Sequence, residues 1–242
     1  MIKVDKIDIW GFEHAIRGMR NPMNSWKKSD SKILSCGYLE DFDNNTCGDC
    51  IFGREDMPDY CFNSGYFVHI GPNDIELMKK LYKGGPEHRK YLRQIMVSMD
   101  ILAPLYWWKE FDTYKVGTTA NSCSTMHKIH DKEFVTDDFS HDHLDEFGMA
   151  MLANIINYLN ENRRYYISTK KREYWWQMIQ ILPTSYNQLR TVTMNYENVV
   201  NIIHQRKNHK LTEWNEFVDI LSGFPLIKDI VNDEDENKEE NE

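Results

Sequence analysis

The sequence predicts an α/β (α+β) fold in which an antiparallel sheet is flanked by helices. Two observations carry this. Strand-type and helix-type patterns follow one another in the order strand, helix, insertion, helix, aromatic run, two helices, strand, helix. Of the 242 residues, 41% are hydrophobic and 13% aromatic, which is enough to bury a sizeable core. The expected organisation is a single domain over residues 1–231, with a Cys-rich insertion at about 27–64 and an acidic tail over 232–242. The tail (NDEDENKEENE) has almost no apolar surface to offset its ordering entropy, so disorder is expected there.

The formal net charge is -9, and the tail holds a visible share of it. With no basic face, general nucleic-acid binding is excluded as an expectation, although Arg163, Arg164, Lys170, Lys171 and Arg172 form a local basic group. No apolar run is long enough to span a bilayer, and the first residues lack the order of a signal peptide. No membrane partner and a cytoplasmic location are therefore expected. Five cysteines, an odd number, argue against a disulfide framework.

In chain order, Ile2 to Trp10 alternates apolar and polar residues with period two, as a half-buried strand does. Phe12 to Arg20 reads as a short helix halted by Asn21-Pro22, because a residue before proline is pushed out of the helical region. From Lys27 to Ser64 the composition turns to Ser, Asp, Asn, Gly and Cys without periodicity. Cys36, Cys47, Cys50 and Cys61 lie there; they could staple the excursion through a tetrahedral zinc, or they are free thiols. A helix opens at Asn73, with Leu77, Leu81 and Tyr82 on one face, and stops at Gly84-Gly85-Pro86. His127, His130, His141 and His143 stand among aspartates without the spacing of a metal motif, so a solvated loop outweighs a metal site. Phe147 to Tyr158 has apolar residues at helical spacing, with Met151, Leu152, Ile155, Ile156 and Leu159 packing on the core. Tyr174 to Leu182 is a further helix halted by Pro183, Thr191 to Asn195 a strand, and Glu197 to Gln205 a helix followed by Arg206.

The chain turns on Ala103 to Lys128. An aromatic segment (Leu105, Tyr106, Trp107, Trp108, Phe111) gives way to Lys115, Thr118, Thr119, Asn121, Ser122, Cys123 and Ser124. Those groups supply donors for phosphate or carbonyl oxygens; the alternative is a helix end followed by a polar loop.

This run resembles the signature region of the flavin-dependent thymidylate synthases. Ala103-Pro104 matches the entry, Lys109 and Glu110 stand where Arg-Gln would, and Thr113, Tyr114 and Lys115 fall on the Arg-His-Arg triplet, of which only Lys115 keeps the charge. Ser124 takes the place of the motif serine, or Cys123 does with a one-residue shift. Ala15, Arg17 and Arg20 resemble an early family segment near the nucleotide, and Glu87-His88 a turn that touches flavin. Leu182-Pro183, the strand ending at Asn195 and the helix ending at Arg206 repeat the family's C-terminal order, although apolar Ile179 and its neighbours replace its second arginine. The wording Trp107-Trp108-Lys109-Glu110-Phe111 is also similar to a group of bacteriophage and prophage proteins.

The resemblance implies a flavin-dependent thymidylate synthase-like fold, and methylation of dUMP to dTMP with FAD, methylenetetrahydrofolate and NADPH. It implies Glu87, His88, Lys115, Asn195 and Asn201 toward the cofactor, and Lys109, Glu110, Ser124 and Arg206 toward the substrate, with no resident metal. It also implies a homotetramer. The alternative is a catalytically inactive phage protein on the same fold that binds a nucleotide or a host protein.

Overall fold

The structure is a computed structural model that describes residues 2–35 and 66–231. It is a mixed helix and antiparallel-sheet fold, as the element order predicts. Strands β1 (Lys3–Trp10), β4 (Met96–Pro104), β6 (Asn187–Asn195) and β5 (Thr118–Ser122) form one sheet in the order β1-β4-β6-β5. Strands β2 (Lys32–Ser35) and β3 (Tyr66–His69) form an antiparallel pair with Lys32 opposite His69. The described helices are α1 (Phe12–Arg20), α2 (Pro72–Lys83), α3 (Leu105–Phe111), α4 (Glu146–Thr169), α5 (Arg172–Ile181), α6 (Tyr196–Arg206), α7 (Thr212–Ser222) and α8 (Ile227–Val231). No helix among the described residues is long and apolar enough to cross a membrane.

The described residues gather into two compact units. The first lies within 1–7, 98–193 and 206–217, the second within 8–97, 194–205 and 218–242.

In the first unit, α4 and α5 pack as a helical hairpin. Leu152, Ile156 and Leu159 of α4 meet Met178 of α5 together with Ile129, Phe134 and Phe139 from the preceding loop. The Asp145 carboxylate caps α4 by accepting from the Gly148 N–H at 2.7 Å. The helix runs well past the expected Tyr158, because no proline or glycine interrupts it before Lys170 ends it in the left-handed region at φ 57°. Met151, expected on the packing face, is 47% exposed.

In the second unit, α1 has the expected bounds and buries Phe12, Ala15, Ile16 and Met19. Gly11 precedes it at φ 98°, and a Cβ there would lie 2.1 Å from the Gln94 carbonyl oxygen, so only glycine fits. The expected start of α2 at Asn73 is displaced to Pro72, which takes the first helical position without losing a bonded N–H. The capping function falls instead to Asp30, whose carboxylate accepts from the N–H groups of Asn73 (3.0 Å) and Asp74 (3.3 Å). The buried face of α2 is Asp74, Met78 and Tyr82 rather than Leu77, Leu81 and Tyr82. Asp74 is inside because it has partners: Arg20 Nε donates to it at 2.6 Å, and the Ser29 and Ser31 hydroxyls each donate at 2.6 Å. Burial pushes its carboxyl up, but those three donors outweigh burial and hold it below the usual aspartate range.

Strand β4 is absent from the sequence reading, yet Val97, Met99, Ile101 and Ala103 are buried at strict period two. The expected half-buried alternation of β1 is interrupted, since Lys6 sits at φ 51° and Ile9 alone of its described residues is buried.

Candidate functional site

The first unit assembles a cationic and aromatic site around α3. Pro104 ends β4 in extended backbone, and α3 begins at once, so β4 sets where the helix starts. Trp107, Trp108 and Phe111 are buried on one side of α3. Trp107 packs against Trp214 at 4.6 Å and Phe217 at 5.3 Å, fixing α3 to α7 through aromatic contacts. Glu110 is thereby held in place, and its Oε2 accepts from Arg206 Nη1 at 2.7 Å and from the buried Trp214 indole N–H at 3.0 Å. His209 Nε2 lies 3.4 Å from the same oxygen.

Arg206, at the end of α6, is restrained on several sides. Its Nε donates to the Tyr114 hydroxyl at 2.9 Å, and its guanidinium lies 4.5 Å from the Trp214 ring centre and 5.6 Å from that of Tyr114. Nε and Nη1 are engaged, and Nη2 has no hydrogen-bond partner among the described residues. Arg206 and Glu110 are thus brought together, and Tyr114 takes part through a position of the divergent triplet.

A second arginine of this unit, Arg190 on β6, was not singled out from the sequence. Its Nη1 donates to Asp112 at 2.7 Å, and its guanidinium stands 4.2 Å over the Trp108 ring. The signal was available: Arg190 shares a strand face with Gln188 and the buried Val192 and Met194, and a cation on a part-buried face asks for a partner. Trp214 and His209 were also unread, since they lie beyond Arg206 in a helix and turn that were not assigned. Next to this cluster Tyr106 donates its hydroxyl to Glu213, which ties α3 to the first turn of α7. Burial, then the hydrogen bond and charge of Glu213, push the Tyr106 phenol up.

The other expected residues are distributed as follows. Lys109 and Lys115 are exposed. Ser124 is half-buried, and its Oγ accepts from the N–H groups of Met126 (3.2 Å) and His127 (2.8 Å), leaving its hydroxyl hydrogen to donate. Cys123 is exposed. Ile179, at the missing second arginine, packs against the α4–α5 core. Glu87, His88, Asn195 and Asn201 belong to the second unit. Glu87 and His88 are exposed. Asn195 caps α6, its Oδ1 accepting from the Asn198 N–H at 3.0 Å. Asn201 is half-buried on α6 and its amide makes no hydrogen bond to a described residue.

Among the described residues no group of three or more His, Cys, Asp or Glu could hold a metal ion. His141 bonds the Phe139 carbonyl, and His143 the Thr212 hydroxyl. Cys36, Cys47, Cys50 and Cys61 lie outside the described residues.

The fold is that of the flavin-dependent thymidylate synthases and a related nucleotide methylase. A flavin-dependent thymidylate synthase ThyX from Helicobacter pylori, complexed with FAD and dUMP, matches at a TM-score of 0.60 and 14% identity, covering 96% of this chain and 98% of that one. Another ThyX structure from Helicobacter pylori with FAD and dUMP matches at 0.59 and 13%, covering 96% and 98%. The UMP/dUMP methylase PolB from Streptomyces cacaoi, bound with 5-Br dUMP, matches at 0.55 and 10%, covering 90% of this chain and 87% of that one. No protein-family model and no curated protein sequence matches the chain.

Proposed function

We propose that this chain is a divergent, phage-type relative of the flavin-dependent thymidylate synthases that binds deoxyuridylate and FAD. The observation that carries the reading is the Arg206 guanidinium, fixed by Glu110, Tyr114 and Trp214, with its Nη2 unpaired among the described residues. A planar cation held in one orientation is suited to a phosphate or a pyrimidine carbonyl, because little side-chain entropy is lost when the ligand arrives. Ser124, with its hydroxyl hydrogen left to donate, and Lys109 add to the substrate side. Glu110 acts by positioning Arg206.

The residues present fit a flavin in one respect the structure supports: Asn201 carries a half-buried amide with no partner among the described residues. Asn201, the amide N–H of Asn195, Glu87 and His88 would hold the cofactor. When bound and reduced, the flavin supplies hydride and passes on the one-carbon unit of methylenetetrahydrofolate, with NADPH as reductant. No cysteine nucleophile is required, so Cys123 need not act. The chain's own work is binding, orientation and exclusion of water.

The second reading, a nucleotide-binding or host-protein-binding protein without catalysis, is favoured by Tyr114. In the triplet position it serves as a structural partner of Arg206, where the family carries the triplet histidine. Assembly as a homo-oligomer belongs to the same proposal. On α4, Phe147, Met151, Tyr158 and Tyr165 are exposed, an apolar stripe of the kind that a second copy covers. Acidic Asp145 and Glu146 at its start and basic Arg164 and Lys170 at its end would meet in an antiparallel pairing.

The test is the visible spectrum of purified protein together with turnover of deoxyuridylate supplied with the folate and NADPH. Bound flavin with turnover supports the enzyme; bound flavin and nucleotide without turnover supports the binding protein; binding of neither removes both nucleotide readings.

A further inference from the structure

A cavity of about 200 Å³ opens beside α1 in the second unit. Its floor is the buried cluster already described, in which Ser29, Ser31 and Arg20 converge on Asp74. That floor is neutralised and satisfied, so Arg20 has no charge to offer a ligand. What remains to contact one is Glu13, Arg17 and Trp26, with the apolar Ile16 among the lining residues.

These three make a specific pattern. Glu13 and Arg17 are one helical turn apart, which places a carboxylate acceptor beside a guanidinium donor on one face of α1. Glu13 makes no hydrogen bond or ion pair with a described residue, and Arg17 has only a 3.3 Å contact with His14 Nδ1. The two charges are therefore available and together neutral. Trp26 is 49% exposed, yet its indole N–H is tied to the Asn21 side-chain oxygen at 2.8 Å, so the ring is held with much of its surface open. A fixed, exposed indole is a stacking platform for a flat molecule.

The volume limits the occupant. At about 200 Å³ and partly open to solvent, it lies below the roughly 300–1,000 Å³ of a drug-sized pocket, which suits a bicyclic base whose sugar extends into solvent. The occupant needs adjacent N–H donors for Glu13, an acceptor for Arg17 and a flat face for Trp26. We propose that the cavity takes the base of a guanine-type heterocycle, a lactam carrying an exocyclic amine. Its ring N–H and amine pair with the Glu13 carboxylate, its carbonyl or ring nitrogen pairs with Arg17, and its sugar stays outside. The proposal rests on the residues of this cavity and not on the reading of Arg206.

The experiment titrates guanosine, inosine and adenosine into the full chain and into Glu13→Ala and Trp26→Ala, with circular dichroism confirming that each variant folds. Guanosine is expected to bind best, inosine more weakly because it lacks the amine, and adenosine weakest because its edge presents the reverse pattern. Each variant is expected to weaken guanosine roughly five- to a hundred-fold, the range of a lost stacking or charge-assisted contact. Deoxyuridylate affinity, measured on the same samples, is expected to stay unchanged. Absence of saturable guanosine binding by the wild type, equal binding of adenosine, or guanosine affinity unchanged in both folded variants would overturn the proposal. A loss of deoxyuridylate binding in Glu13→Ala would also overturn it, by assigning the cavity to that nucleotide.

Discussion

Removing Glu110 is expected to destabilise the protein by about 3 kcal/mol, for two separable reasons. Its carboxylate accepts a 2.7 Å charge-assisted bond from Arg206, of a type that contributes about 1.5–3 kcal/mol. The Arg206 and Glu110 side chains are 18% and 35% exposed, so solvent screening reduces this to about 1–2 kcal/mol. Glu110→Ala also leaves the buried Trp214 indole N–H without its acceptor, at a cost of about 1–3 kcal/mol. Glu110→Gln keeps an acceptor for the indole and loses only the charge, so about 1 kcal/mol is expected. Urea unfolding followed by fluorescence measures both, and a double-mutant cycle with Arg206→Ala isolates the pair at about 1–2 kcal/mol of coupling. A loss below about 0.5 kcal/mol for Glu110→Ala, or coupling of zero, would refute the claim that Glu110 fixes Arg206.

Asp74→Asn breaks a buried ion pair with Arg20 and is expected to cost about 3–5 kcal/mol at neutral pH by urea unfolding. Because the folded carboxyl lies below its usual value of 3.8, this stability is present above that pH and is lost as pH falls through the lower folded value. Wild type and variant should then converge in acid, and a constant difference down to pH values well below 3.8 would contradict the assignment. Gly11→Ala places a Cβ against the Gln94 carbonyl at positive φ and is expected to cost more than about 2 kcal/mol by thermal unfolding; a neutral result would mean that this turn is misassigned. Trp107→Ala empties the aromatic cluster between α3 and α7 and is expected to cost about 3–5 kcal/mol on the same assay, with a loss under about 1 kcal/mol counting against the packing described.

The sequence was most legible where a local rule acted alone. Pro183 ended α5 as expected, with Leu182 before it out of the helical region (φ -57°, ψ 116°), whereas α1 stops at Arg20 although Asn21 stays helical (φ -57°, ψ -46°) and the chain continues into a 3-10 turn over Asn21–Met23 that accommodates Pro22. Strand β4 is legible in the alternation of Val97, Met99, Ile101 and Ala103, although the apolar Leu102 and the aromatic run that follows blur its end. Helix α2 shows a different limit. Its N-terminal N–H groups are capped by Asp30, which lies more than forty residues earlier, and no local pattern announces such a partner. The same holds for the site: Arg206 could be picked from the order of the C-terminal elements, but its pairing with Glu110 spans 96 positions and depends on Trp214, in a helix the sequence reading did not assign. Asn195 was read toward the cofactor, while its carbonyl oxygen is engaged as a helix cap, so its amide N–H is what remains. Arg190 escaped because a cation on a strand face becomes meaningful only when Asp112 and Trp108 are seen beside it.

The claim that Arg206 is the nucleotide's anchor is tested most directly by calorimetric titration of deoxyuridylate, with and without FAD, into wild type, Arg206→Lys and Arg206→Ala. Loss of a charge-assisted contact of about 1.5–3 kcal/mol predicts affinity lower by roughly ten-fold to more than a hundred-fold in Arg206→Ala. Arg206→Lys should recover part of it, since a point charge cannot reproduce the planar fork. Deoxyuridylate binding that is equal in wild type and Arg206→Ala, or absent from wild type in the presence of FAD, would contradict it.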